Sequence, residues 1–230
     1  MRDMTSNLEH PNARMWMAAG VQHAVLMRAL PAMRHDLASP LSVLRMGMTV
    51  LKRRVAPGND TPAEQAVERV EQLEGQLTTL GEHVRRLRNW DVQITDRQPA
   101  RATLLEAIEL ARPLLALRGV FIQPLAGALP GDSEAPVAHH TLLYITLAAI
   151  YHLGESPSEP PAEIHIEPRE GGIRVTARGS VSPDALPPLV PASAQNTLPI
   201  DADALQCLAD HLRVPITRGA RQVDIALGAG

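Results

Sequence analysis

Residues 34 to 41 read Arg34-His35-Asp36-Leu37-Ala38-Ser39-Pro40-Leu41, and the rest of the chain is best read outward from this octet. It sets a histidine beside a carboxylate, with a proline five residues on. A neutral imidazole is a good nucleophile near neutral pH. A neighbouring acid can hold one ring nitrogen as the proton donor and leave the other to attack phosphorus. The octet lies within an apolar stripe of helical period, Leu30, Met33, Leu37, Leu41, Leu44, Met48 and Leu51, whose register is adjusted at Pro40.

A second stripe follows. Residues 62 to 90 open on Thr61-Pro62, where Thr can cap, Pro suits the first helical position and Glu64 completes a capping box. Apolar residues then recur at Ala63, Ala66, Val70, Leu73, Leu77, Leu80, Val84 and Leu87 in the three-and-four alternation of a coiled-coil seam. Ala56-Pro57-Gly58-Asn59-Asp60 reads as the turn between the helices. Two long helices with one narrow stripe each cannot enclose a core as an isolated pair. The expectation is a homodimer whose paired hairpins form a four-helix bundle.

Helical arithmetic places the histidine. At about 100° per residue, His35 lies about 160° from the mean direction of the first stripe, facing solvent. Ser39, Ser42 and Met46 share that outer face, so small side chains surround the imidazole and a methionine lies about three turns below it. Such a face suits the close approach of an aspartate carried by another protein.

The octet resembles the phospho-accepting H-box of bacterial histidine kinases, in which His is followed by Glu or Asp, a hydrophobe, two variable residues, Pro and Leu. His35, Asp36, Leu37, Pro40 and Leu41 fit that order. The resemblance implies that His35 is the phosphorylated residue and Asp36 the acid that orients and deprotonates it. It also implies that Ser39 holds the position where the family uses Thr or Asn to place water for dephosphorylating its partner. The expected partner-binding residues are Ser42 and Met46, and the expected partners are response-regulator receiver domains.

Composition narrows the alternatives. A chain of 230 residues with 45% hydrophobic content can build one large or two small domains, and a formal charge of −3 gives no electrostatic case for nucleic acid. Aromatics make up 2%, which disfavours base-stacking platforms. The single cysteine, Cys207, excludes a disulfide framework and a multi-thiolate metal site within the chain. No run approaches the roughly 18 apolar residues of a membrane span, and the N-terminus has no signal-peptide core, so a cytoplasmic location with no membrane contact is expected.

Beyond Trp90 the pattern changes to α/β. Residues 97 to 118 read as a lead-in and an amphipathic helix, followed by a strand at 120 to 125 and a helix at 138 to 153. A hairpin of 162 to 168 and 173 to 178 turns at Gly171-Gly172; a helix at 201 to 212 and strands at 214 to 217 and 222 to 227 complete it. This order resembles the ATP-binding α/β sandwich of histidine kinases. The expected fold is α+β: a flexible terminus over 1–15, a dimerisation and phosphotransfer hairpin over 16–91, and a degenerate ATP-binding-like domain over 92–230.

That domain lacks the family's nucleotide motifs. The helix over 138 to 153 carries no Asn or acid to hold magnesium, and Ala177-Arg178-Gly179-Ser180 stands where an Asp-x-Gly-x-Gly turn is required, before a proline-rich stretch from Val181 to Pro199. Nothing there would neutralise a triphosphate, so no cofactor is expected and ATP binding is expected to be lost. The resemblance then implies a histidine phosphotransferase of a phosphorelay, transferring phosphate between receiver aspartates. A non-enzymatic pseudokinase or adaptor that binds a receiver or kinase is the alternative, and an active divergent kinase ranks below both. His139-His140 with His152 or His165 makes a poor metal set, because adjacent histidines diverge on a helix and no carboxylate or thiolate completes it; no metal site is expected. Cys207 is expected in the core, on an apolar helix stripe.

Overall fold

The computed structural model describes residues 11–56, 62–88, 90, 96–125, 127, 136–155, 160–180 and 198–227. The protein is α+β and divides into two compact units, one of Pro31–Ile94 and the other of Met1–Leu30 with Thr95–Gly230. The chain passes from one unit to the other inside its first helix. That helix, α1 (Pro11–Arg54), spans 44 residues and already contains residues 11 to 15 of the segment expected to be flexible; residues 1–10 lie outside the described set. It runs through Pro31 and Pro40 and ends on Lys52, Arg53 and Arg54, whose charges suit the negative end of the helix dipole.

In the unit of Pro31–Ile94, α1 folds back against α2 (Ala63–Arg88). Asp36 meets His83, Gly47 meets Leu73 and Arg54 meets Gln65, so the partners rise along α2 as they descend along α1, as an antiparallel hairpin requires. Gly47 permits close approach: a Cβ there would lie 2.6 Å from Leu73 Cδ2. The expected capping residue Thr61 and the turn residues 57–60 lie outside the described residues.

The apolar pattern needs one correction. Each helix carries two adjacent stripes rather than one. Leu37, Pro40, Leu44, Gly47 and Leu51 of α1, with Ala66, Leu73, Leu80 and His83 of α2, are covered or half-covered. Leu41 and Met48 on α1 with Val55 just past its end, spaced by seven, and Val70, Leu77 and Val84, seven apart on α2, are exposed. A spacing of seven keeps these side chains on one line along a helix.

The second unit is a helix layer on a sheet. Its elements are β1 (Arg97–Pro99), α3 (Ala100–Ala116), β2 (Phe121–Ile122), β3 (Pro136–Ala138), α4 (His139–Gly154), β4 (Glu163–Arg169), β5 (Gly172–Arg178), α5 (Ala202–Leu212), β6 (Ile216–Gly219) and β7 (Gln222–Ala226). The five-stranded sheet has order β2-β4-β5-β7-β6, with β2 parallel to β4 and the other neighbours antiparallel. Strand alternation makes the core: Ile164 and Ile166, Ile173 and Val175, and Val223 and Ile225 are buried beneath α4, which also packs against α3 and α5. Alternate residues on the other face pair charges across strands, as Arg174 does with Asp224. Gly171 turns the β4–β5 hairpin at φ 70°, and a Cβ on Gly172 would collide with the Ile225 carbonyl of β7. The small β1–β3 ladder had no signal in the sequence, since three-residue strands are too short to display a period.

The N-terminal part of α1 belongs to this unit. Ala18, Val21, Val25, Arg28 and Ala29 form its buried face, at helical spacing. Arg28 is the polar member. Its Nε donates to Glu155 Oε1 at 3.0 Å, Nη2 donates to Glu155 Oε2 at 2.8 Å and to the Leu198 carbonyl at 3.0 Å, and the guanidinium stands 5.8 Å from the Tyr151 ring centre. Both ion-pair side chains are almost fully buried, at 2% and 7% exposure. Arg28 thus ties the start of the chain to the residue that follows α4.

Candidate functional site

His35 stands on α1 with 82% of its side chain exposed, and Asp36 beside it is 47% exposed. Asp36 Oδ1 lies 3.5 Å from His35 Nδ1. That separation is long for a hydrogen bond, and catalytic pairs often tighten only when a substrate is present. The acid therefore faces Nδ1 of the ring. Ser39, Ser42 and Met46 are exposed on the same side, Met46 at 66%. The Ser42 hydroxyl donates to the Ala38 carbonyl at 2.9 Å, which turns it back on its own helix. His35 and Asp36 are thus the pair brought together, while Ser39, Ser42 and Met46 line the approach.

Pro40 explains the next feature. A residue four positions after Asp36 would normally donate its N–H to the Asp36 carbonyl, and proline has none. The donor comes instead from α2: His83 Nδ1 lies 2.6 Å from the Asp36 carbonyl oxygen. Because a carbonyl only accepts, the proton must sit on His83 Nδ1. Sequence reading assigned His83 nothing. The one available signal was a histidine at a covered position of α2 facing a proline-interrupted turn, and that pairing is invisible until the hairpin register is known.

The remaining candidate histidines go to separate partners. His139 is buried, with Nδ1 2.8 Å from Thr103 Oγ1 and Nε2 3.3 Å from Glu106 Oε2. His140 stacks against Tyr144 at 4.5 Å between ring centres, His152 donates to the Ile200 carbonyl at 2.8 Å, and His165 contacts Glu163 at 2.8 Å. Among the described residues no group of three or more His, Cys, Asp or Glu could hold a metal ion. Cys207 is half-buried rather than in the core as expected. It lines a cleft of about 520 Å³ with Arg14, Asp203 and His211. Burial pushes its thiol above the ordinary range, Asp210 adds to that, and Arg14 opposes it. The α5 stripe keeps Leu205 and Leu208 in the core, and Cys207 falls beside them on the helix flank.

On α4, residues Leu142 to Ile145, Leu147 to Tyr151 and Leu153 are buried. Glu155, directly after the helix, is an acid near its end, and its carboxylate is held by Arg28 with Arg118 at 3.5 Å. Two guanidinium groups, those of Arg28 and Arg118, thus face the Glu155 carboxylate.

No family model matches the chain. No curated protein matches it. Among solved structures, the histidine kinase AdeS of Acinetobacter baumannii aligns with 84% of this chain and 98% of its own at 13% identity, with a TM-score of 0.35. A likeness of that size decides neither fold nor function. No helix among the described residues is long and apolar enough to cross a membrane.

Proposed function

We propose that the protein is a histidine phosphotransferase of a two-component phosphorelay, and that His35 carries the phosphoryl group between receiver aspartates. The observation that carries this reading is the outward imidazole with an acid on its Nδ1 side, on a face lined by Ser39, Ser42 and Met46. In the forward step His35 Nε2 attacks the phosphorus of an aspartyl phosphate. The bond from phosphorus to the carboxylate oxygen breaks, the carboxylate leaves with the electron pair, and Asp36 takes the Nδ1 proton. The reverse sequence delivers phosphate to a second receiver. On this reading Ser39, exposed one turn after His35, is the residue that would orient water near the phosphoryl group.

The exposed stripe of Leu41, Met48, Val55, Val70, Leu77 and Val84 supports a homodimer in which two hairpins complete a four-helix bundle. His35 lies on the far side of α1 from Leu41 and Met48, so such pairing would leave it accessible. The Arg28–Glu155 pair and the lack of an acid within α4 support loss of ATP binding. Titration calorimetry with Mg-ATP is expected to give no saturable heat in the micromolar range, and a one-site isotherm there would restore a kinase reading.

The deciding experiment mixes the protein with phosphorylated receivers and looks for acid-labile phosphate on His35. Label on wild type and none on His35→Ala supports the transferase. Tight receiver binding without label would instead favour an adaptor.

A further inference from the structure

We propose that His83 is a positioning residue for the transfer site: its Nδ1–H holds the Asp36 carbonyl that Pro40 leaves without a helical donor, and so fixes the turn that carries His35 and Asp36. This rests on the phosphohistidine reading above and adds to it a residue on the other helix.

The first argument is one of supply and demand for hydrogen bonds. Pro40 is buried at the face between the two helices, lacks an N–H, and its ring crowds the carbonyl four residues earlier. The Asp36 carbonyl is therefore left without its usual helical donor. His83 meets it at 2.6 Å, at the short end for such a bond. No water or fraying of the turn is needed to satisfy that oxygen.

A second argument is geometric. The Asp36 carbonyl belongs to the peptide whose orientation sets the backbone at Asp36, hence where its carboxylate sits relative to His35 Nδ1, at present 3.5 Å away. Anchoring the carbonyl on α2 restricts the swing of that carboxylate. A loosened turn would spread Asp36 over positions too far to accept the proton, at a cost in rate and not in affinity.

The tautomer supplies an independent readout. Free neutral imidazole prefers its proton on Nε2, whereas this bond requires it on Nδ1. The ring of His83 should then show a proton on Nδ1 in its ¹⁵N shifts.

The test uses the full chain and phosphoramidate, a small donor that bypasses receiver docking. His35 Nε2 forms the new bond to phosphorus, the phosphoramidate P–N bond breaks, ammonia leaves, and the His35 Nδ1 proton passes through Asp36 to solvent. His83→Leu should keep its circular dichroism and slow labelling about 3- to 10-fold, the range of one hydrogen bond's net effect. His83→Asn, whose amide nitrogen reaches the place of Nδ1, should recover to within about twofold. The Pro40→Ala background is the sharper arm, because that substitution restores a backbone N–H directed at the Asp36 carbonyl and should make His83→Leu silent. A mere stabilising contact between helices would not be rescued this way. Equal labelling of folded His83→Leu and wild type, an undiminished His83→Leu effect in Pro40→Ala, or a His83 Nδ1 without a proton would each overturn the proposal. Wild type that takes no label while its His83 carries the Nδ1 proton would overturn the phosphohistidine reading, and the positioning role with it.

Discussion

At the scale of single residues, the proposed site is arranged around the exposed imidazole of His35. His35 needs no core contact, so His35→Ala is expected to remove all acid-labile label and leave the unfolding free energy within about 0.5 kcal/mol of wild type, the range of surface substitutions. Labelling and thermal denaturation check both halves. Met46 is the exposed apolar residue on the same face. Met46→Asp should retain labelling by phosphoramidate and lose transfer from a phosphorylated receiver, because docking would bury an unpaired charge. Transfer at the wild-type rate would move the docking surface elsewhere.

Between elements, the two stripes of the hairpin make different demands. Leu73 is buried against Gly47, so Leu73→Ala should cost about 2–5 kcal/mol in denaturant unfolding. Leu77, one turn on, is 56% exposed in the single chain. Leu77→Asp should leave the hairpin helical and shift light scattering from dimer to monomer; a wild-type monomer would end the dimer model. On the outer sheet face, the Arg174 guanidinium donates to both Asp224 carboxylate oxygens, at 2.5 and 2.7 Å, and holds that carboxyl below the ordinary aspartate range. A depressed acid contributes stability above its unfolded value and loses it as pH falls through the folded one. The loss should therefore appear on the acid side, below about pH 4. Asp224→Asn is expected to flatten that part of a melting-temperature profile against pH.

For the molecule as a whole, the buried Arg28–Glu155 pair is the contact to test. Taking one partner away strands a charge in the interior, so Glu155→Ala should cost about 3–5 kcal/mol. Replacing both, as Arg28→Met with Glu155→Leu, leaves only the part-exposed Arg118 without its carboxylate and should recover part of that loss. Calorimetric unfolding of wild type and the two variants measures the difference. A Glu155→Ala protein as stable as wild type would mean that the start of α1 contributes little to the α/β unit.

Much of this was legible in the residues themselves. Strand alternation in 162–168 and 173–178, the Gly171-Gly172 turn and the stripe of 201–212 are local patterns, and the elements stand within one residue of them, at Glu163–Arg169, Gly172–Arg178 and Ala202–Leu212. The outward direction of His35 followed from helical period alone, because period depends only on spacing. Three features needed the tertiary structure. A lone arginine at position 28 gives no sign of a partner 127 residues away. One apolar stripe per helix resolves into a covered and an exposed line only once the partner helix has a place. His83 acquires its role only when the hairpin register sets it against the carbonyl left bare by Pro40. Each depends on pairing between distant segments. Spacing within a segment carries the preference of that segment, and the choice among distant partners is made by packing and by the need of buried polar groups for hydrogen bonds.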